Sequence, residues 1–201
     1  MNAKLKRANN LLAISRHYLS KDHLLQIYYR QFYSHLTYGC QLWGQGQIDK
    51  TFTLQKKAIR LMTFSHYLAH TNTLFKELQL LKLPNIISSS NILFTHSTLN
   101  NNSPKIFTNF FKYNKSIKRD FSQNSIFSTP NGSLAIPLFQ TSSGNKSIQF
   151  TCTIEWNQIH RELSTKYFLK YKNNELWLKE INFKTLRKML KCHFLDKYKT
   201  T

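Results

Sequence analysis

The sequence predicts a mainly α fold, with a helical region over residues 1–112 and a smaller, looser α+β region over 113–201. Three observations lead there. Glycine and proline are scarce, at 5 and 4 residues, which disfavours a many-turned β architecture. Apolar residues recur at helical spacing through the first half. After Lys112 the texture turns polar and short alternating runs appear.

Residues 3–19 carry Leu5, Ala8, Leu12 and Leu19 near one face of a first helix. Ser20 and Asp22 offer capping oxygens for a second over about 22–37, with Leu24, Leu25, Tyr28, Tyr29, Phe32 and Leu36 inward. Its end is the run YGCQLWG. Gly39 sits where a left-handed C′ residue is wanted. Trp43 is expected to pack as an anchor, and Gly44 to let the chain turn away, so Tyr38, Gly39, Trp43 and Gly44 read as a structural corner.

Asp49 is a candidate cap for a third helix, about 50–64, built on Leu54, Ala58, Leu61 and Met62. Lys56, Lys57 and Arg60 line another of its faces. Thr71 or Asn72 opens a fourth helix, which must end near Leu83 because Pro84 follows. Pro84 suits the first turn of a fifth, about 85–99, and Ser103-Pro104 starts another with Ile106, Phe107, Phe110 and Phe111.

In the second region, β-like runs are expected at residues 125–128, 134–139 and 147–153. The last alternates Ile148, Phe150, Cys152 and Ile154. Trp156-Asn157 follows, and helices are expected over about 160–171 and 175–197.

Charge is the strongest functional signal. There are 29 lysines and arginines against 9 aspartates and glutamates, a formal net charge of +20. Such a chain attracts polyanions, nucleic acid first and anionic membrane second. An AT-rich coding sequence enriches Lys and Asn in the same way without any selected function. Lys56, Lys57 and Arg60 are candidate phosphate contacts or a solvated face. Lys184, Arg187, Lys188 and Lys191 repeat the pattern on the last helix. Lys118 and Arg119, between Tyr113 and Phe121, interleave bases with aromatics, as single-strand contact or a linker would.

Other chemistries find little support. The carboxylates are not paired in sequence, whereas two-metal phosphoryl transfer needs them clustered. His66 and His70 stand four apart, but Tyr67 occupies the place of a zincin glutamate. Cys40, Cys152 and Cys192 are odd in number and far apart, which suggests a reducing compartment and a small buried role for Cys40. No glycine-rich phosphate loop, secretory signal or membrane-spanning run is recognisable, so an intracellular place, cytoplasm or nucleus, is expected.

The runs LLQIYYRQFYSHLTYGCQLWG, LQKKAIRLM and HTNTLFKELQLLKLPNI come in a telling order. So do IPLFQTSSGNKSIQFTCTIEWNQI and FKTLRKMLKCHFLDKY. Together they resemble the segment after the polymerase palm in LINE-type, non-LTR retrotransposon reverse transcriptases, particularly jockey-like ones, over about residues 4–198. The proline that ends the family's WN element is absent after Trp156-Asn157, and its arginine element is blurred around Lys118-Arg119-Asp120. The palm's Asp-Asp pair, which binds catalytic magnesium, does not occur here.

The resemblance implies a thumb-like helical bundle over 1–112 and the downstream region over 113–201. No catalytic residue, metal site or cofactor is expected in the chain itself, since magnesium would belong to the palm. The implied partners are RNA or DNA, as template–primer duplex, and the remainder of a reverse transcriptase. The alternative expectation is a translated or co-opted remnant acting as a structural or interaction protein.

Overall fold

The computed structural model describes residues 1–113, 133–139, 141–171 and 177–198. Helix α1 (Asn2–Ser15) buries Leu5, Ala8 and Leu12, as the periodicity predicts, while Leu19 lies beyond its end and is partly exposed. It packs along α5 (Asp49–Met62), to which it is tied by polar bonds. Asn9 Nδ2 donates to Leu54 O at 3.0 Å, and Thr51 Oγ1 to Asn2 Oδ1 at 2.9 Å.

Helix α2 (Lys21–Ile27) runs through a π-helical stretch, Tyr28–Tyr33, into α3 (Ser34–Thr37). The expected single helix is thus continuous but widened where four aromatic rings crowd. Tyr28 and Phe32 stack at 5.3 Å, and Tyr29 meets Tyr33 edge-on at 5.4 Å. Two capping expectations are corrected. Ser20 holds the N-cap position of α2, but its hydroxyl bonds the His23 ring at 2.8 Å rather than a backbone N–H. Asp49 is the first residue of α5 and makes no cap bond, leaving it to act on the helix dipole.

In the YGCQLWG corner the expected left-handed glycine is present, whereas Trp43 is not a buried anchor. Gly39 has φ 59°, and α4 (Cys40–Trp43) starts immediately after it. Cys40 is fully buried. Trp43 is half-buried, and its indole N–H donates to Tyr38 O at 2.9 Å. A β-carbon on Gly44 would stand 2.4 Å from Cys40 O and 2.9 Å from Ile87 Cδ1, so this glycine is required by close packing.

Helix α6 (Thr71–Glu77) packs on α5, and α7 (Leu83–Leu99) begins with Pro84 in its first turn as expected. Helix α6 thus ends well before the expected Leu83, closed by Gln79; Leu78, Leu80 and Leu81 between the helices are buried, as is Leu83 at the start of α7. Three helix ends close with a paired bond pattern, N–H of C″ to the C3 carbonyl and N–H of C′ to C2. Their left-handed C′ residues are Phe64, Gln79 and Asn101 rather than glycine.

The expected helix after Ser103 is corrected to one 3₁₀ turn, Lys105–Phe107. Phe107, Phe110 and Phe111 instead gather edge-on around Phe94, at 5.2, 6.4 and 6.1 Å. The α+β expectation for the second region is corrected too. Among the described residues there is no sheet, only an isolated antiparallel bridge between Tyr113 and Leu134. Residues 135–139 have no regular secondary structure, and the run at 125–128 lies outside the described residues.

The run over 147–153 is helical. It opens α8 (Ile148–Tyr171), with Ser147 as its cap: Phe150 N donates to Ser147 Oγ at 3.3 Å. Period 2 loses to period 3.6 because Cys152, Trp156, Ile159 and Leu163 form the buried stripe, while Ile154 is turned outward. The expected last helix splits into α9 (Trp177–Glu180) and α10 (Phe183–Asp196). Asn182 causes the break by capping α10, its Oδ1 accepting Lys184 N–H at 2.9 Å.

The chain forms two compact units, Met1–Ser90 with Lys188–Thr201, and Asn91–Arg187. The division falls inside α7 and α10 rather than at the composition change after Lys112. Within the second unit, Asn157 clamps one residue from both sides. Its Oδ1 accepts Leu134 N–H at 2.8 Å and its Nδ2 donates to Leu134 O at 2.9 Å. Trp156 beside it is 1% exposed. The Trp-Asn pair is therefore a core anchor followed by a backbone clamp.

Candidate nucleic-acid interface

The site lies in the first unit and starts from a buried glutamine. Gln55 is fully buried on α5. Its Nε2 donates to Tyr28 Oη and Leu81 O, both at 3.0 Å, and its Oε1 accepts Leu83 N–H at 2.7 Å. These bonds fix the turn into α7 against α5. The residues flanking Gln55 on the helix surface, Phe52 and Lys56, are thereby held facing the start of α7.

A concavity of about 410 Å³ opens there. It is lined by Phe52, Lys56 and Arg60 of α5, by residues 68–72, and by Lys82 and Pro84. Each base is braced. Lys56 Nζ lies 4.3 Å from the Phe52 ring centroid, and Lys82 Nζ 4.1 Å from that of Tyr198. Arg60 Nε donates to Ala69 O at 3.0 Å. Tyr198 fixes Lys82 further, since its hydroxyl accepts Lys82 N–H at 2.9 Å and Asn85 Nδ2 at 2.7 Å.

The electrostatics are those of cations held together without a counter-charge. Among the described residues, no carboxylate lines the concavity, and none is paired with Lys56, Lys57, Arg60 or Lys82. Burial, and then the charge of Lys56, hold the Lys82 ammonium below its ordinary pKa. An anion entering the concavity would relieve that repulsion. The unit's carboxylates are only Asp22, Asp49, Glu77 and Asp196, and Glu77 is engaged by Lys21.

A second concavity, of about 430 Å³, lies along the same helix. Lys57, Arg60, Leu61 and Thr53 line it from α5, with Arg16, Ser65 and Tyr67. The predicted trio is thus brought together through Arg60, which borders both spaces, with Lys56 on one side and Lys57 on the other.

The other predicted bases fall elsewhere. Lys184, Arg187, Lys188 and Lys191 are exposed on α10, opposite the buried Leu186 and Leu190, and Arg187 stacks 5.2 Å over Phe183. Among the described residues, neither concavity is lined from α10. Lys118 and Arg119 lie outside the described residues. Sequence reasoning missed Lys82, Tyr198 and Arg16. Lys82 had one signal, as the lone cation in the leucine-rich run LQLLKLP.

His66 is exposed, its ring against Tyr67 at 4.5 Å, and the segment from His66 to His70 is not helical. Among the described residues no group of three or more metal-ligating side chains is found. Burial pushes the Cys152 thiol up to about 12, so it is not a reactive thiolate. No helix among the described residues is long and apolar enough to cross a membrane. No protein-family model, no curated protein and no solved structure matches the chain.

Proposed function

We propose that the chain binds nucleic acid through its phosphate backbone and does not itself transfer nucleotides. The observation that carries this reading is the convergence of Lys56, Arg60 and Lys82 on one carboxylate-free concavity, in a chain of net charge +20. Phosphate neutralisation by several such bases gives affinity without sequence preference. A polyanion also removes the mutual repulsion of Lys56 and Lys82 that the folded chain must otherwise sustain.

The resemblance to the region after the palm of non-LTR reverse transcriptases supports a template–primer duplex as the natural ligand. It also supports the remainder of such an enzyme as a partner. In that reading magnesium and the nucleotidyl-transfer step belong to a palm and not to these residues.

The test is fluorescence anisotropy on a labelled RNA–DNA hybrid over a series of salt concentrations. Engagement of about five phosphates gives a log–log slope of about −4 to −5. A slope near zero, or no binding at low salt, overturns the reading in favour of a structural or interaction protein.

A further inference from the structure

Helix α5 ends in a way that its own stability does not explain. Phe64 occupies the left-handed C′ position, φ 54°, closed by Ser65 N–H to Arg60 O at 3.1 Å and Phe64 N–H to Leu61 O at 3.5 Å. Glycine serves this position without strain, whereas a bulky residue there is an outlier. Core packing does not compensate, because the Phe64 side chain is 52% exposed. Tyr67 and Leu68 follow at 72% and 68%. The chain therefore keeps a strained, outward aromatic corner in water.

Cations surround that corner. The Arg16 guanidinium lies 4.8 Å from the Phe64 ring centroid, and its Nε is buried with no hydrogen-bond partner among the described residues. Lys57 and Arg60 line the adjoining concavity with Tyr67 and Ser65, and among the described residues no carboxylate does. Exposed rings with unpaired bases beside them and no acid are what unstacked nucleotides require: a π-face for the base and a cation for each phosphate. A duplex keeps its base faces stacked internally and can use only the cations.

We propose that Phe64 and Tyr67, with Arg16 and Lys57, form a stacking platform for unpaired nucleotides of a single-stranded RNA or DNA segment. The proposal rests on the nucleic-acid reading above and adds a second, strand-selective element to it. The duplex backbone is gripped at Lys56, Arg60 and Lys82, and an unpaired end adjoining it reaches the platform.

The test compares a single-stranded 20-nucleotide oligothymidylate with a blunt duplex of equal phosphate number, at one salt concentration, by anisotropy. Phe64→Gly and Tyr67→Ala are each expected to weaken single-strand binding roughly tenfold and to leave the blunt duplex within about twofold. Lys56→Ala is expected to weaken the duplex. Phe64→Gly also relieves the left-handed strain, so its melting temperature should hold or rise, and its loss of binding is then not misfolding. Equal losses on both ligands, or no loss on the single strand, overturn the platform and leave the duplex reading standing. Failure of the unmodified chain to bind either ligand overturns both. Weak single-strand binding with tight, Tyr67-dependent binding to phosphatidylserine vesicles would mark the corner as a membrane contact and overturn the platform.

Discussion

Gln55 donates to the Tyr28 hydroxyl at 3.0 Å in the core of the first unit, where both side chains are fully buried. The same glutamine also serves Leu81 O and Leu83 N–H, so one side chain satisfies the aromatic π-helical stretch and the turn into α7. Gln55→Leu strands three buried polar groups, each costing about 1–3 kcal/mol. Urea denaturation should show a loss of at least about 2 kcal/mol, against about 1 kcal/mol for Tyr28→Phe. Equal, small losses would mean the turn is held by packing alone.

Gly44 and Gly39 are required for different reasons and should respond differently. Alanine at Gly44 drives a β-carbon into Cys40 O and Ile87, an overpacking worth about 1–3 kcal/mol. Alanine at Gly39 meets nothing within 4 Å and costs only the left-handed conformation, about 1 kcal/mol. Thermal melts of the two variants check the order.

Gln79 and Asn101 test the helix ends. Both are left-handed C′ residues, but asparagine tolerates that region and glutamine does not. Gln79→Gly should stabilise by up to about 1 kcal/mol, although it gives up the exposed bond from Gln79 Nε2 to Lys76 O. Asn101→Gly should change little.

His96 sets a pH limit on the second unit. It is 4% exposed, its Nε2 donates to Ile181 O at 2.8 Å, and its Nδ1 has no hydrogen-bond partner among the described residues. Burial lowers its pKa from 6.5. Well above pH 6.5 the ring is neutral both folded and unfolded, so it adds no pH dependence there. As pH falls below 6.5 the unfolded chain takes up a proton that the folded chain refuses, and stability falls until the folded ring titrates as well. Denaturant midpoints between pH 7.5 and 5 should fall for the native chain, and less steeply for His96→Gln.

The legible parts of this molecule are those that a local pattern determines. Leu5, Ala8 and Leu12, or Ala58 and Met62, declare a buried face within one helix, and Gly39 declares its end. The strand reading of 147–153 failed because its window stopped at Ile154. The stripe of Cys152, Trp156, Ile159 and Leu163 becomes visible only over three turns. Of the candidate interface, the α5 bases were readable as a face. The concavity was not, since Lys82 joins it through Gln55 and Tyr198, whose bonds span 28 and 116 residues of chain. The Phe64 corner is hidden for another reason: the helical pattern runs on to residue 64, and only the structure ends α5 at Met62 and leaves the Phe64 ring exposed.

The central claim is that Lys56, Arg60 and Lys82 act together on phosphates. The most direct measurement is the salt dependence of RNA–DNA hybrid binding by the unmodified chain and by the variant carrying Lys56→Ala, Arg60→Ala and Lys82→Ala. Each lost phosphate contact removes about 0.9 from the log–log slope, so the variant's slope should be shallower by roughly 3. An unchanged slope, whatever the affinity, would contradict the account, because the phosphates would then be held elsewhere.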